Sequence, residues 1–285
     1  MLPHSSTDVR GTLYIVATPI GNLEDFSNRA QDVLKKVSHI AAEDTRHTKK
    51  LLNHFGIENR LFALHDHNER DKATYIETLL AKGDDVALVS DAGTPLISDP
   101  GYHVVSYLRE KNFPVSPIPG PSAIIAALCA SGLPTDKFFF QGFLPAKSNA
   151  RKEVMESWKT QAGTVIFYES THRIYDSVTD ANLVFGDDAK LVLAREISKT
   201  FETFLQGSPS DILAKFDNDS NQMKGEFVVM LDLSVKENKD KNLAEQTRIL
   251  KVLLEELPVK QAAQIAAQIT GGKKNALYQL ALTLV

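Results

Sequence analysis

The chain has 285 residues, 43% hydrophobic and 24% charged, with a net charge of −4 and one cysteine. That length suits two domains of average size, and the composition is that of a globular protein able to bury real cores. The lone thiol, Cys129, excludes an internal disulfide and a multi-cysteine zinc site, and the acidic balance disfavours bulk, sequence-blind nucleic-acid binding while leaving room for a local basic patch.

Met1 to Ser6 lacks the basic and apolar regions of a signal peptide, and the apolar run 123–130 is far shorter than the ~20 residues that span a membrane. A cytoplasmic chain with no membrane partner is therefore expected. Short apolar runs then alternate with helical patterns. Strands are predicted at 12–17, 39–42, 61–64, 86–90 and 114–118, with helices at 26–37, 45–55, 69–82, 101–111 and 121–131. Continuous apolar strands separated by helices predict a parallel sheet covered on both faces, with its ligand crevice beyond the strand C-termini.

Dense punctuation at Leu133-Pro134-Thr135-Asp136 suggests a boundary. Beyond it strands are predicted at 138–143, 164–169, 190–195, 201–206 and 226–233, and helices at 148–160, 172–184 and 209–216, a pattern with more antiparallel pairing. Ser234 to Asn242 reads as a polar linker, and 243–285 as two or three helices, with Val259, Ala262, Ala263, Ala266 and Ile269 on one face. The net charge is −7 for residues 1–233 and +3 for 234–285, so the tail opposes the body in sign. The expected domains are 1–135, 136–233 and a helical module at 234–285.

Three loops leave strands of the first half. Thr18-Pro19-Ile20-Gly21-Asn22 makes a tight turn in which Gly21 can take φ > 0 and let a ligand approach the backbone; an ordinary strand-to-helix turn is an equal reading. Ser90 to Gly101 holds small residues, two prolines and the carboxylates Asp91 and Asp99, suited to a ligand with an ammonium, a carboxylate and a ribose. Pro119-Gly120-Pro121-Ser122-Ala123 opens a helix with Pro121 in its first turn. No GxGxxG or Walker A motif is present; Gly271-Gly272-Lys273-Lys274 lacks the leading glycine and starts a tail helix.

These three loops resemble the cofactor loops of the tetrapyrrole-methylase superfamily. Ala42-Glu43-Asp44-Thr45-Arg46-His47-Thr48, His67-Asn68-Glu69, Phe167-Tyr168-Glu169-Ser170-Thr171-His172-Arg173, Ala194-Arg195-Glu196-Ile197-Ser198-Lys199 and Lys224-Gly225-Glu226-Phe227 are similar to its ribosomal RNA methyltransferase branch, and the likeness runs from about residue 11 to the C-terminus. Two departures stand out. Gly21-Asn22 replaces the Gly-Asp of the porphyrinoid enzymes, and Thr171 stands where the RNA enzymes usually carry proline; it is expected to cap the next helix.

The resemblance implies a two-domain tetrapyrrole-methylase-like α/β fold, with a parallel-sheet N-terminal domain, a mixed-sheet second domain and a small helical tail. It implies S-adenosyl-L-methionine held between the domains and methylation of a cytidine ribose 2′-oxygen in the decoding region of 16S ribosomal RNA. A homodimer and a substrate within the small ribosomal subunit are expected as well. By position, Pro19, Asp91, Gly93, Thr94, Ile97, Ser98, Ser122 and Ala123 would line the cofactor site from the first domain, and Tyr168, Ala194, Gly225 and Glu226 from the second. Glu43, Asp44 and His67 are candidates for the general base, although Asp44 equally reads as a helix cap. Arg46, Lys147, Arg151 and Arg173 are candidate RNA contacts, with ion pairs or a solvated helix start as the plain alternative. No metal is expected, since a sulfonium is already electrophilic and His65-Asp66-His67 lacks further ligands. A porphyrinoid methylase and a non-catalytic ribosome-binding module are the competing functions.

Overall fold

A computed structural model describes residues 10–233 and 239–284. The first nine residues and 234–238, which carry the signal-peptide reading and most of the expected linker, lie outside the described residues. Two compact units result, 1–233 and 234–285.

The first sheet of the larger unit comprises β1 (Leu13–Val16), β2 (His39–Ala42), β3 (Leu61–Ala63), β4 (Val86–Val89) and β5 (Val115–Ile118). All pair in parallel, in the order β3-β2-β4-β1-β5. Between them run α1 (Asn28–Lys36), α2 (Thr45–His54), α3 (Glu69–Ala81) and α4 (Tyr102–Glu110), and α5 (Ala123–Ala130) follows β5. Alternation along β4 shows why four apolar residues in a row belong there. Val86 and Leu88 join Ile76, Leu80, Val104 and Leu108 on one face; Ala87 and Val89 join Ala30, Leu34 and Leu52 on the other. Both faces of this central strand are dry, and each fully buried Val, Leu or Ile contributes roughly 1.5–3 kcal/mol.

The second sheet is mixed. It comprises β6 (Phe138–Phe143), β7 (Thr164–Ser170), β8 (Lys190–Arg195), β9 (Thr203–Gly207) and β10 (Glu226–Asp232) in the order β6-β7-β10-β8-β9. Only β6 and β7 run parallel, and the expected antiparallel pairing holds for the rest. One face packs on α6 (Ser148–Ser157), α7 (Ile174–Phe185) and α8 (Pro209–Asn218) through Met155, Val178, Ile212 and Phe216. The other face receives Ile124, Ala127 and Leu128 of α5 against Ile166, Val192, Val228 and Met230. Helix α5 thus follows the last strand of the first sheet but packs on the second through Ile124, Ala127 and Leu128, while Ile125 and Cys129 on its other side stay exposed.

Local chemistry corrects three expectations. Pro121 precedes α5 rather than entering its first turn, because Ser122 is extended at φ −143° and is the N-cap. Thr171 does not cap α7; its hydroxyl donates to the Gly225 carbonyl and accepts from the Gly225 amide, at 2.7 and 2.9 Å. Arg151 is 2% exposed, its guanidinium donating to Asp180 at 2.7 Å and reaching the carbonyls of Pro145 and Ala146, so it braces α6 on α7 rather than facing a ligand.

The smaller unit contains α9 (Lys239–Leu254), α10 (Val259–Thr270) and α11 (Lys274–Leu282) around Leu250, Ala262, Ala263, Ala266, Leu277 and Ala281. The first helix begins inside the expected linker. Gly271 ends α10 in the left-handed region, as a helix C-terminus favours. The expected apolar face is narrower than its spacing suggests, since Ile269 in the last turn of α10 is 61% exposed.

Candidate active site

Strand order brings the glycine- and proline-bearing loops together. Those after β4, β1 and β5 leave three adjacent strands, so their first residues start about 5 Å apart. Hydrogen bonds then tie each to the next. Thr18 and Gly93 exchange backbone bonds of 2.9 and 3.0 Å, and the Thr94 hydroxyl donates to the Pro121 carbonyl at 3.0 Å. Gly93 sits at φ +79° and Gly101 at φ +128°, where a side chain would be strained. Leu96 and Ser98 take φ +74° and +67° despite their side chains, a conformation that costs on the order of 1–3 kcal/mol each and needs support from its surroundings.

Glu69 gives that support. It begins α3 and is 4% exposed; one carboxylate oxygen accepts from the Gly101 amide and the other from the His103 amide, each at 2.9 Å. A buried carboxylate on two amides at the start of α4 closes the far end of the loop and opposes the positive end of that helix.

Opposite these loops stand residues of β7, β10 and β8 of the second sheet, with Phe143 of β6. Together they enclose a cavity of about 320 Å³, within the usual range for a small-ligand site. Nine of the twelve residues expected at the cofactor line it: Gly93, Thr94, Ile97, Ser98, Ser122, Ala123, Tyr168, Ala194 and Glu226. Pro19, Asp91 and Gly225 do not line it. Asp91 turns toward β2, its amide donating to Glu43 at 3.3 Å and its carboxylate accepting from the Asp44 amide at 3.1 Å. Gly225 lies at φ +112° against Glu196, which a Cβ would approach to 2.6 Å. Gly21, expected to admit a ligand, admits protein: its φ is not positive, and a Cβ there would lie 2.6 Å from the Lys199 side chain and 3.1 Å from the Ile197 carbonyl.

That contact closes one side of the cavity. The Asn22 amide donates to the Ser198 hydroxyl at 2.9 Å, and this hydroxyl donates to Asp25 at 2.6 Å. Ser198 and Glu196 hold φ +67° and +50°. A strained turn after β8 thus latches onto the turn after β1.

The cavity also contains residues outside the twelve expected contacts, among them Ile20, Asp99, Phe143 and Ile197. Asp99 is the most informative. Burial pushes its carboxyl up to about 6, against the lowering influence of the Ser90 hydroxyl; Glu43, Asp91 and Asp66 add repulsion. The ionised neighbours acting on it are all acids. Beside it, burial and then the Asp99 charge push the Tyr168 phenol up to about 12, so that it stays protonated. Asp99 belongs to the loop already marked by its glycines, but nothing in the sequence separates it from Asp91.

None of the candidate bases lines the cavity. Glu43 comes nearest through its bond to Asp91, and burial is the first cause of its raised pKa. Asp44 caps α2 and pairs with Arg46 at 2.8 Å, which holds its carboxyl well below the usual range. His67 lies two strands from β4 in sheet order, in a separate depression with Asp66, Asn68, Arg70, Asp71 and His103. Among the described residues no group of three or more His, Cys, Asp or Glu side chains is placed to hold a metal, and no helix is long and apolar enough to cross a membrane. Of the basic candidates, Arg46 is exposed, Lys147 is exposed at the start of α6, and Arg173 is part-exposed while paired with the buried Glu169.

The family model described as Tetrapyrrole (Corrin/Porphyrin) Methylases matches residues 12–212, and one described as RsmI C-terminal HTH domain matches residues 240–285. The chain is similar to the Ribosomal RNA small subunit methyltransferase I of Escherichia coli O157:H7, at 53% identity over 99% of each chain. It is similar to the protein of that name from Haemophilus influenzae at 50% identity, over 97% of this chain and 98% of the other. Among solved structures, a uroporphyrin-III C-methyl transferase from Thermus thermophilus complexed with S-adenyl homocysteine has a TM-score of 0.52 at 14% identity, covering 78% of this chain and 97% of that one, a likeness of fold.

Proposed function

We infer the activity from one premise: the chain belongs to the tetrapyrrole (corrin/porphyrin) methylase family. It is a methyltransferase, and its substrate is ribosomal RNA, as the names of its full-length relatives state for them. The finer reading is transfer of a methyl group from S-adenosyl-L-methionine to the ribose 2′-oxygen of a cytidine in the decoding region of 16S RNA.

The observation that carries the cofactor assignment is the half-buried Asp99 carboxylate among other acids in the inter-sheet cavity. Such a group gains most from a cationic ligand, and S-adenosylmethionine carries both an ammonium and a sulfonium. The remaining lining fits the rest of that molecule: backbone at Gly93 and Thr94, small side chains at Ser122, Ala123 and Ala194, and the apolar Ile20 and Ile197. The nine lining residues named above, with Asp99, form the proposed cofactor site. Asp91, tied to Glu43 and Asp44, and Gly225, tied to Thr171, support it from outside the lining.

When bound, the cofactor supplies an electrophilic methyl group on sulfur. The protein's task is to align the 2′-hydroxyl with that methyl and take its proton; alignment can contribute up to roughly 7–11 kcal/mol and a general base about 10²–10⁴-fold. Of the three candidate bases, Glu43 has the best case. Burial raises its affinity for a proton, and Asp91 ties it to the cofactor loop. Asp44 is a poorer base because Arg46 stabilises its ionised form. His67 stands further along the sheet edge. Arg46, Lys147 and Arg173 are the proposed phosphate contacts. We place the reaction in the cytoplasm on the small ribosomal subunit. The half-exposed Phe138 and Phe139 on edge strand β6 support a homodimer.

Purified protein with labelled S-adenosylmethionine is offered assembled small subunits, naked 16S RNA or a uroporphyrinoid, and the label is mapped by nuclease digestion and mass spectrometry. Label on a ribose that resists alkaline cleavage is expected. Label on the macrocycle would support the porphyrinoid reading, and no transfer would support the non-catalytic one.

A further inference from the structure

Phe143 lines the cavity yet is 55% exposed. The backbone is built to aim it there. β6 pairs with β7 in step from Phe138 to Phe140, slips by one residue, then resumes with Gly142 opposite Phe167 and Phe143 opposite Tyr168. Such a bulge redirects the side chains that follow it. Gly142 at the slip has φ +79°, a conformation suited to glycine. The redirected ring is backed by others. Phe143 and Tyr168 have centroids 5.5 Å apart, and Tyr168 and Phe140 5.0 Å. The Phe143 ring is thus backed by Tyr168 while more than half of the residue stays exposed.

Cationic groups share this turn. Arg173 donates to the Leu144 carbonyl at 3.1 Å and keeps 26% of its side chain exposed. Lys147 is exposed four residues after Phe143. A supported aromatic ring followed in the same turn by the exposed Lys147, with the Glu169-paired Arg173 bonded to the next residue's carbonyl, suits a nucleotide, whose base stacks while its phosphates meet the cations.

We propose that Phe143 is a nucleobase-stacking platform at the cavity mouth, and that it receives the base of the target nucleotide. This rests on the reading of RNA as the substrate. The cofactor's adenine offers the same chemistry, but Phe143 stays more than half exposed although it lines the cavity, and Lys147 and Arg173 of the same turn do not line it, which favours a ligand arriving from solvent.

The test compares Phe143→Leu, which keeps apolar bulk, with Phe143→Tyr, which keeps the ring. Affinity for S-adenosylhomocysteine is measured by calorimetry, and kcat/KM is measured on small subunits. Phe143→Leu should lower kcat/KM about ten-fold or more while leaving cofactor-product affinity within about two-fold, and Phe143→Tyr should restore kcat/KM to within about three-fold of wild type. An unchanged kcat/KM in Phe143→Leu overturns the proposal, as does an equal loss in both variants, which would mean shape rather than stacking. A parallel loss of S-adenosylhomocysteine affinity in Phe143→Leu would assign the ring to adenine and overturn the target-base assignment. A wild-type chain that labels no RNA would instead sink the parent reading, a result separable from an active wild type with an indifferent Phe143→Leu.

Discussion

The two walls of the cavity are made of different material. On the first sheet, three loops leave parallel strands and present backbone, small side chains and one carboxylate. Their conformations are fixed by Gly93, Gly101, the Thr18–Gly93 bridge and the Glu69 clamp. On the second sheet, the wall is made of side chains set by strand register, with Tyr168, Ala194, Glu226 and Phe143 each placed by pairing. Backbone recognition needs particular residue types at particular spacings. Side-chain recognition needs only that a strand reach the right place in the right phase.

Arg151→Ala tests that contrast most severely. The Arg151–Asp180 pair is buried, with side chains 3% and 6% exposed, and removing one partner of such a pair costs about 3–5 kcal/mol. Denaturant unfolding should show a loss of that order. The salt dependence of RNA binding should not change, because this guanidinium meets no phosphate; a lower salt slope in a still-folded variant would return Arg151 to the RNA-contacting set.

Glu69→Gln sharpens the account of the first wall. An amide can still accept from one backbone N–H, but its own NH₂ opposes the other, and each bond to a charged group contributes about 1.5–3 kcal/mol. We expect a stability loss of about 2 kcal/mol and weaker cofactor binding, with kcat at saturating cofactor little changed. Loss of stability with unaltered cofactor affinity would mean that the loop keeps its shape without the clamp. Ser198→Ala should have the smallest effect. It removes the latch bonds to Asn22 and Asp25, both at the surface, and should shorten cofactor residence by only a few-fold, about 1 kcal/mol, in stopped-flow release.

The same contrast explains what the sequence revealed. Strands and helices of the first sheet were legible because β4 is apolar throughout and the turns are punctuated by Gly and Pro. The three loops could be grouped before their adjacency in the order β4-β1-β5 was known. Asp91 rather than Asp99 is the expected contact because two aspartates share one loop, and only the fold shows that Asp91 turns to β2 while Asp99 faces the cavity. Phe143 escaped because a bulge leaves no mark on composition beyond one glycine. Thr171 looked like a helix cap because Ser and Thr before a helix usually are; its tie to Gly225 spans 54 residues and is invisible to local reading. Arg151 looked like an RNA contact because its partner Asp180 lies on the next helix.

The central claim is that the inter-sheet cavity binds a cationic methyl donor opposite the Asp99 carboxylate. Calorimetric titration of S-adenosylmethionine between pH 5 and 8, on wild type and Asp99→Asn, tests it directly. Burial raises the Asp99 pKa to about 6, so the carboxyl is protonated below that pH and anionic above it. Wild-type affinity should therefore climb as pH rises through about 6 and then level off. Asp99→Asn should bind at least about ten-fold more weakly at pH 8 and show no such climb. Equal affinity of the two proteins at pH 8, or the same pH profile in both, would contradict the account.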